Sequence, residues 1–118
     1  MKDFSIVFPL ENEFFTTVRL TTGGICSLAE FDVESTEDLK VCMTEGLLVL
    51  KRSGFSSARI DFCVGTPLSV KIVGQARDGE KETGLADEIS FALLSALLGD
   101  VVYEKDGDGD VVALSFNA

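Results

Sequence analysis

The sequence predicts an α+β domain, a two-layer sandwich with helices on one face of a mixed, mostly antiparallel sheet of about five strands. Three observations predict it. Short runs alternate apolar and polar residues, and between them lie segments where apolar residues recur every three or four positions. These two periods follow one another in the order β-α-α-β-β-α-β-β, a pattern that lets helices cover a single sheet face. Apolar residues make up 46% of 118 positions, enough for a core, and the length suits one domain over residues 1–118.

The elements follow in order. Phe4, Ile6 and Phe8 alternate with Ser5 and Val7 and give a first strand that ends at Pro9. Phe14, Val18, Thr21/Thr22, Ile25 and Leu28/Ala29 then define one face of a helix over about residues 12–30, with Gly23-Gly24 as a point for a kink. Ser35 and Asp38 have the spacing of a capping box. They predict a second helix whose buried stripe is Leu39, Cys42, Met43, Gly46 and Leu50, closed by Gly54. Ile60, Phe62 and Val64, and then Leu68, Val70 and Ile72, alternate as two strands joined by a turn at Gly65-Thr66-Pro67. Residues 75–83 are polar and predict a loop. A third helix over about residues 85–98 has Leu85, Ile89, Leu93 and Leu97 on one face, with Gly99 after it. Residues 101–104 and 111–116 close the chain as a hairpin around Asp106-Gly107-Asp108-Gly109-Asp110. That acidic run starts like a calcium loop, but its sixth position is Val111 and its twelfth Asn117, so it is read as a turn.

Charge narrows the function classes. Twenty acidic and ten basic residues give a net charge of −10, a field that repels nucleic acid and anionic membrane surfaces. The same charge keeps a protein soluble and would steer a basic protein partner. Cys26, Cys42 and Cys63 lack metal-ligand spacing and the chain has no histidine, so neither a zinc site nor His-activated nucleophilic catalysis is expected. Thiols on apolar segments fit buried packing in a reducing, cytoplasmic setting. No signal peptide is expected from Met1-Lys2-Asp3-Phe4-Ser5, and no stretch approaches the apolar length of a membrane span.

Three strings in this order carry a resemblance. Phe31 to Gly46 (FDVESTEDLKVCMTEG) resembles the pattern F-x-x-E-x-x-E-D-I-K-I-A-V-S-E-A of the anti-sigma serine kinases, members of the GHKL superfamily (gyrase, Hsp90, histidine kinase, MutL). Ala96-Leu97-Leu98-Gly99-Asp100-Val101 resembles the family's T-L-M-D-E-V, and Phe8-Pro9-Leu10-Glu11-Asn12-Glu13-Phe14 its L-P-A-x-P-E-F. The likeness spans nearly the whole chain and implies an ATP-binding fold of the GHKL type.

It also implies three nucleotide boxes, which this chain matches poorly. In the Glu-x-x-x-Asn box on the second helix, Glu45 occupies the general-base position, but Val49 stands where the magnesium-holding Asn belongs. Valine offers no oxygen to a hard cation. In the Asp-x-Gly-x-Gly box, Gly74 falls at the adenine-binding Asp and Ala76 at the first Gly, and Asp78-Gly79 could stand in only with a four-residue shift. In the phosphate-cradling Gly-x-Gly box, Glu88 and Ser90 replace the glycines, and Gly84-Leu85-Ala86 lies four residues too early. The lid between the last two boxes is cut to a few residues.

The resemblance therefore implies a regulator that acts by protein contact, with no cofactor expected. Its partners would be a sigma factor, a STAS-domain anti-anti-sigma factor or a second copy of itself. Phe14, Phe15, Val18 and Arg19 on the first helix fall where the family carries such contacts, although Phe14 and Val18 also suit core packing. The alternative is an active ATP- and magnesium-dependent serine/threonine kinase with Glu45 as base and Asp78 on adenine. A third reading is a structural domain that keeps only the fold.

Overall fold

The computed structural model describes residues 2–82 and 84–118; Thr83, at the end of the predicted loop, lies outside them. Its elements run β1 (Lys2–Pro9), α1 (Asn12–Leu28), α2 (Val33–Arg52), β2 (Ser57–Val64), β3 (Ser69–Ala76), α3 (Leu85–Leu98), β4 (Val101–Lys105) and β5 (Val111–Asn117). The five strands form one sheet in the order β1-β2-β3-β5-β4. Every pairing is antiparallel, which corrects the mixed sheet expected from sequence. The cause is topological. A single helix joins β3 to β4 and leaves those two strands parallel, but β5 inserts between them and takes both as antiparallel neighbours.

Register explains the layer. Phe4 lies opposite Phe62, Ile6 opposite Ile60, Ile60 opposite Ile72, and Ile72 opposite Leu114. Side chains alternate across a pleated strand, so these residues share one face. That face carries the helices. The other face presents Asp3, Ser5, Lys71 and Glu104, with Ser5 Oγ donating to Asp61 Oδ1 at 2.7 Å.

Helix α2 packs on the three inner strands. Its Leu39, Cys42, Met43, Leu47, Val49 and Leu50 are at most 1% exposed, and a fully buried side chain of this size contributes about 1.5–3 kcal/mol. Gly46 permits the close approach, since a Cβ there would stand 3.0 Å from Leu114 Cδ1 and 3.1 Å from Ile72 Cδ1. Burial pushes the Cys42 thiol up to about 11, reinforced by the charges of Asp38 and Glu45.

The helix ends show how local chemistry sets boundaries. The cap of α2 is Asp32, not Ser35: its carboxylate accepts the Ser35 amide at 2.7 Å, so the box runs from Asp32 to Ser35. Gly54 closes α2 as predicted, in the left-handed conformation (φ 96°), with Phe55 N donating to Leu50 O. The same pair of bonds ends α1, where Phe31 N donates to Cys26 O and Glu30 N to Ser27 O. There the left-handed residue is Glu30 (φ 61°). Helix α1 runs through Gly23-Gly24 as one element and buries Phe15, Val18, Thr22, Ile25 and Cys26, while Leu28 is 71% exposed. Strand β3 extends to Ala76, so Gln75 and Ala76 belong to the sheet rather than to the loop.

Leu85, Ile89, Leu93 and Leu97 do share one face of α3, and it is the outward one. Ser90 and Leu94 are its buried residues, with Phe91 and Leu98 packed against the core, whereas Leu85, Ile89, Leu93 and Leu97 face solvent. Two apolar stripes interleave on this helix, and tertiary contacts choose between them. Phe91 meets Tyr103 edge-on, with ring centroids 5.0 Å apart, and Arg52 reaches Ser90.

Candidate functional site

The site to be tested is the cleft bounded by the C-terminal turns of α2, the loop after β3 and the first turn of α3. The nucleotide boxes of the resemblance fall there. Helix α2 supplies Glu45, Val49 and Arg52 at steps of four and three, along the flank that turns toward α3. Glu45 is half-buried and makes no hydrogen bond or ion pair among the described residues. Val49 is completely buried in the core. An apolar side chain at a dry position cannot carry a cation ligand.

Arg52 spans the gap to α3. Its Nε donates to Asp87 Oδ1 at 2.5 Å, one Nη donates to Ser90 Oγ at 2.5 Å, and the same Nη lies 3.4 Å from Ala86 O. Arg52 and Asp87 are largely shielded, at 14% and 27% side-chain exposure, and Ser90 is 2% exposed. A guanidinium with several donors in a fixed fork suits this three-way grip. An internal ion pair thus ties the first turns of α3 to the end of α2 through their side chains. Gly84 precedes the helix at φ 127°, but the positions that align with the family's glycines are the exposed Glu88 and the bonded Ser90.

The position that the resemblance assigns to adenine is covered too. Gly74 lies in β3 beneath the Phe55 ring, and a Cβ on it would stand 2.5 Å from Cγ and 2.6 Å from Cε1 of that ring. No side chain fits there without moving Phe55. On the ring lies the Arg77 guanidinium, 5.0 Å from the centroid. The loop that would have to shift is tied down. Gly79 N donates to Gly54 O at 2.8 Å and Glu82 N to Arg52 O at 2.8 Å. Asp78 stays exposed in that loop.

Arg77 organises the far side of this wall. Its Nε donates to Ser53 O at 3.1 Å, one Nη pairs with Asp106, and the other donates to Asp110 Oδ2 at 3.0 Å. Lys81 adds a 2.7 Å ion pair to Asp110. The acidic hairpin is a turn closed by Gly109 (φ 82°), and carboxylates of Asp106, Asp108 and Asp110 converge there on two cations of the protein's own. The Arg77 hydrogen bond holds the Asp106 carboxyl below its ordinary value of 3.8.

The depression that remains, about 510 Å³, lies between α2 and residues 79–82. Glu11, Glu80 and Glu82 line it, facing Lys51 and the engaged Arg52. Three carboxylates in so small a space oppose a polyphosphate.

On α1 the structure separates the four predicted contact residues. Phe15 and Val18 are core residues at 7% and 2% exposure. Phe14 is half-buried, and Arg19 donates to Thr16 Oγ1 at 3.2 Å on the surface. The residues that sequence reasoning missed are Arg52, Asp87, Phe55 and Arg77. Arg52 was visible only as a base at a helix end, and no local signal pairs Phe55 with Gly74 across nineteen residues of chain.

No protein-family model and no curated protein matches this chain.

Proposed function

We propose that the chain is a regulatory protein resembling the anti-sigma serine kinases of the GHKL superfamily, with its nucleotide chemistry lost, and that it works in the cytoplasm by binding another protein. The resembling strings point to a sigma factor, a STAS-domain antagonist or a second copy as the partner class. The observation that carries the reading is the Arg52 clasp: the guanidinium ties Asp87 and Ser90 to the end of α2, beside the turn where a triphosphate would bind. Val49 without an oxygen, and Gly74 roofed by Phe55, support the same conclusion from two other boxes. Any one such loss would weaken catalysis by orders of magnitude.

Titration calorimetry with ATP and magnesium tests this. The expected result is no saturable heat at millimolar nucleotide. Micromolar binding would overturn the reading, and its loss in Glu45→Ala or Asp78→Asn would locate the site.

A further inference from the structure

We propose that the outward face of α3 docks a cationic amphipathic helix from a partner protein. The proposal deepens the reading that the chain acts by protein contact and rests on it. Leu85, Ile89, Leu93 and Leu97 are 70%, 51%, 37% and 38% exposed. At four-residue steps they form one continuous ridge about 18 Å long. Together they leave roughly two leucines' worth of aliphatic surface in water, a contiguous patch rather than scattered exposure. Ala92 and Ala96 beside them are exposed and small, so a partner can reach the ridge.

Charge selects the occupant. Helix α3 contains no Lys or Arg, and Glu88 lies exposed on its flank. Across the groove, Asp38 of α2 lines the same depression as Leu97 and Leu98. Glu45 stands two turns further along α2, in a depression it shares with Arg19 and Lys40, and neither carboxylate has a hydrogen bond or ion pair among the described residues. Arg52, the cation of this flank, is held by Asp87 and Ser90. An apolar ridge between unpaired carboxylates complements a helix with an apolar stripe and Lys or Arg at its borders. A second copy is a poor occupant, because it would bring the same acidic rim and another net charge of −10.

The test uses the full chain and two synthetic peptides with leucine at helical spacing, one filled with lysine and the other with glutamate. Binding is followed by fluorescence anisotropy and mapped by amide chemical shifts. The lysine peptide is expected to saturate, with shifts concentrated on residues 85–97, and the glutamate peptide to give none. Ile89→Gln and Leu93→Gln should each weaken binding about tenfold or more. Glu45→Gln and Glu88→Gln should weaken it less, and Leu20→Gln, at an exposed apolar site on α1, should leave it unchanged. Shift mapping on the native chain decides the matter even if a variant unfolds. Shifts centred elsewhere, equal binding of both peptides or unaltered affinity in the Ile89 and Leu93 variants would overturn the proposal. So would sedimentation showing a dimer that Leu93→Gln breaks, since the occupant would then be a second copy. The two readings fail separately: nucleotide binding with intact peptide docking sinks only the degenerate-site reading, whereas absence of both sinks only this one.

Discussion

Replacing Gly74 with alanine places a methyl group inside the volume of the Phe55 ring, 2.5 Å from Cγ. The ring cannot easily yield. Phe55 is 8% exposed, its amide is bonded to Leu50 O, and Arg77 lies over its free side. Overpacking of this kind costs about 1–3 kcal/mol. Removing a glycine from a strand returns up to about 1 kcal/mol, so the net loss should be about 1–2 kcal/mol. In a Phe55→Ala background the obstruction is gone, and Gly74→Ala should become neutral or stabilising. The double-mutant cycle should therefore show a coupling of about 2 kcal/mol. Urea unfolding, read as a shift in midpoint at constant slope, measures all four corners. Equal cost of Gly74→Ala in both backgrounds would refute the claim that Phe55 roofs this position. Gly74→Asp, a longer side chain at the same place, should destabilise at least as much as alanine.

Three further predictions follow from the same contacts. Arg52→Ala strands the Asp87 carboxylate and the buried Ser90 hydroxyl and should cost about 2 kcal/mol in urea unfolding; Arg52→Lys keeps the charge but not the fork and should recover less than half, and an unchanged midpoint for either would count against the clasp. Glu30→Gly relieves a left-handed conformation in a non-glycine residue at the end of α1 and should stabilise by about 1 kcal/mol, visible as a higher melting temperature. The Asp106 carboxyl is held below 3.8 in the folded state, chiefly by Arg77, so its contribution is present above that pH and lost as pH falls through the depressed folded value. The melting temperatures of the native chain and Asp106→Asn should accordingly differ by a constant amount at neutral pH and converge in acid; a gap that widens in acid would contradict the sign.

Much of the fold was legible because it rests on local periodicity. The alternation at Phe4-Ile6-Phe8 and Ile60-Phe62-Val64 and the stripe of α2 each report one buried face. What failed needed information from elsewhere in the chain. Helix α3 is apolar nearly all round, so its period could not tell Leu85-Ile89-Leu93-Leu97 from the stripe that Ser90, Leu94 and Leu98 bury. Contacts with α2 and with Tyr103 fix the phase. The cap of α2 moved from Ser35 to Asp32 because either residue can cap, and the chain direction after Phe31 decides. Within the candidate site, departures from the resembling pattern were legible position by position, as at Val49 and Gly74. The replacements that fill the space, Phe55 and Arg52, were not, since each acts on a partner at least nineteen residues away.

The central claim is that the cleft between α2 and α3 is closed to a triphosphate by its own side chains. An NMR titration of the labelled chain with ATP and magnesium, observing Arg52 Nε and the amides of Gly74, Gly79 and Ser90, tests it most directly. The account predicts that these signals stay in place at millimolar nucleotide. Saturable shifts at Arg52 Nε and Ser90, showing that the clasp opens to admit the ligand, would contradict it.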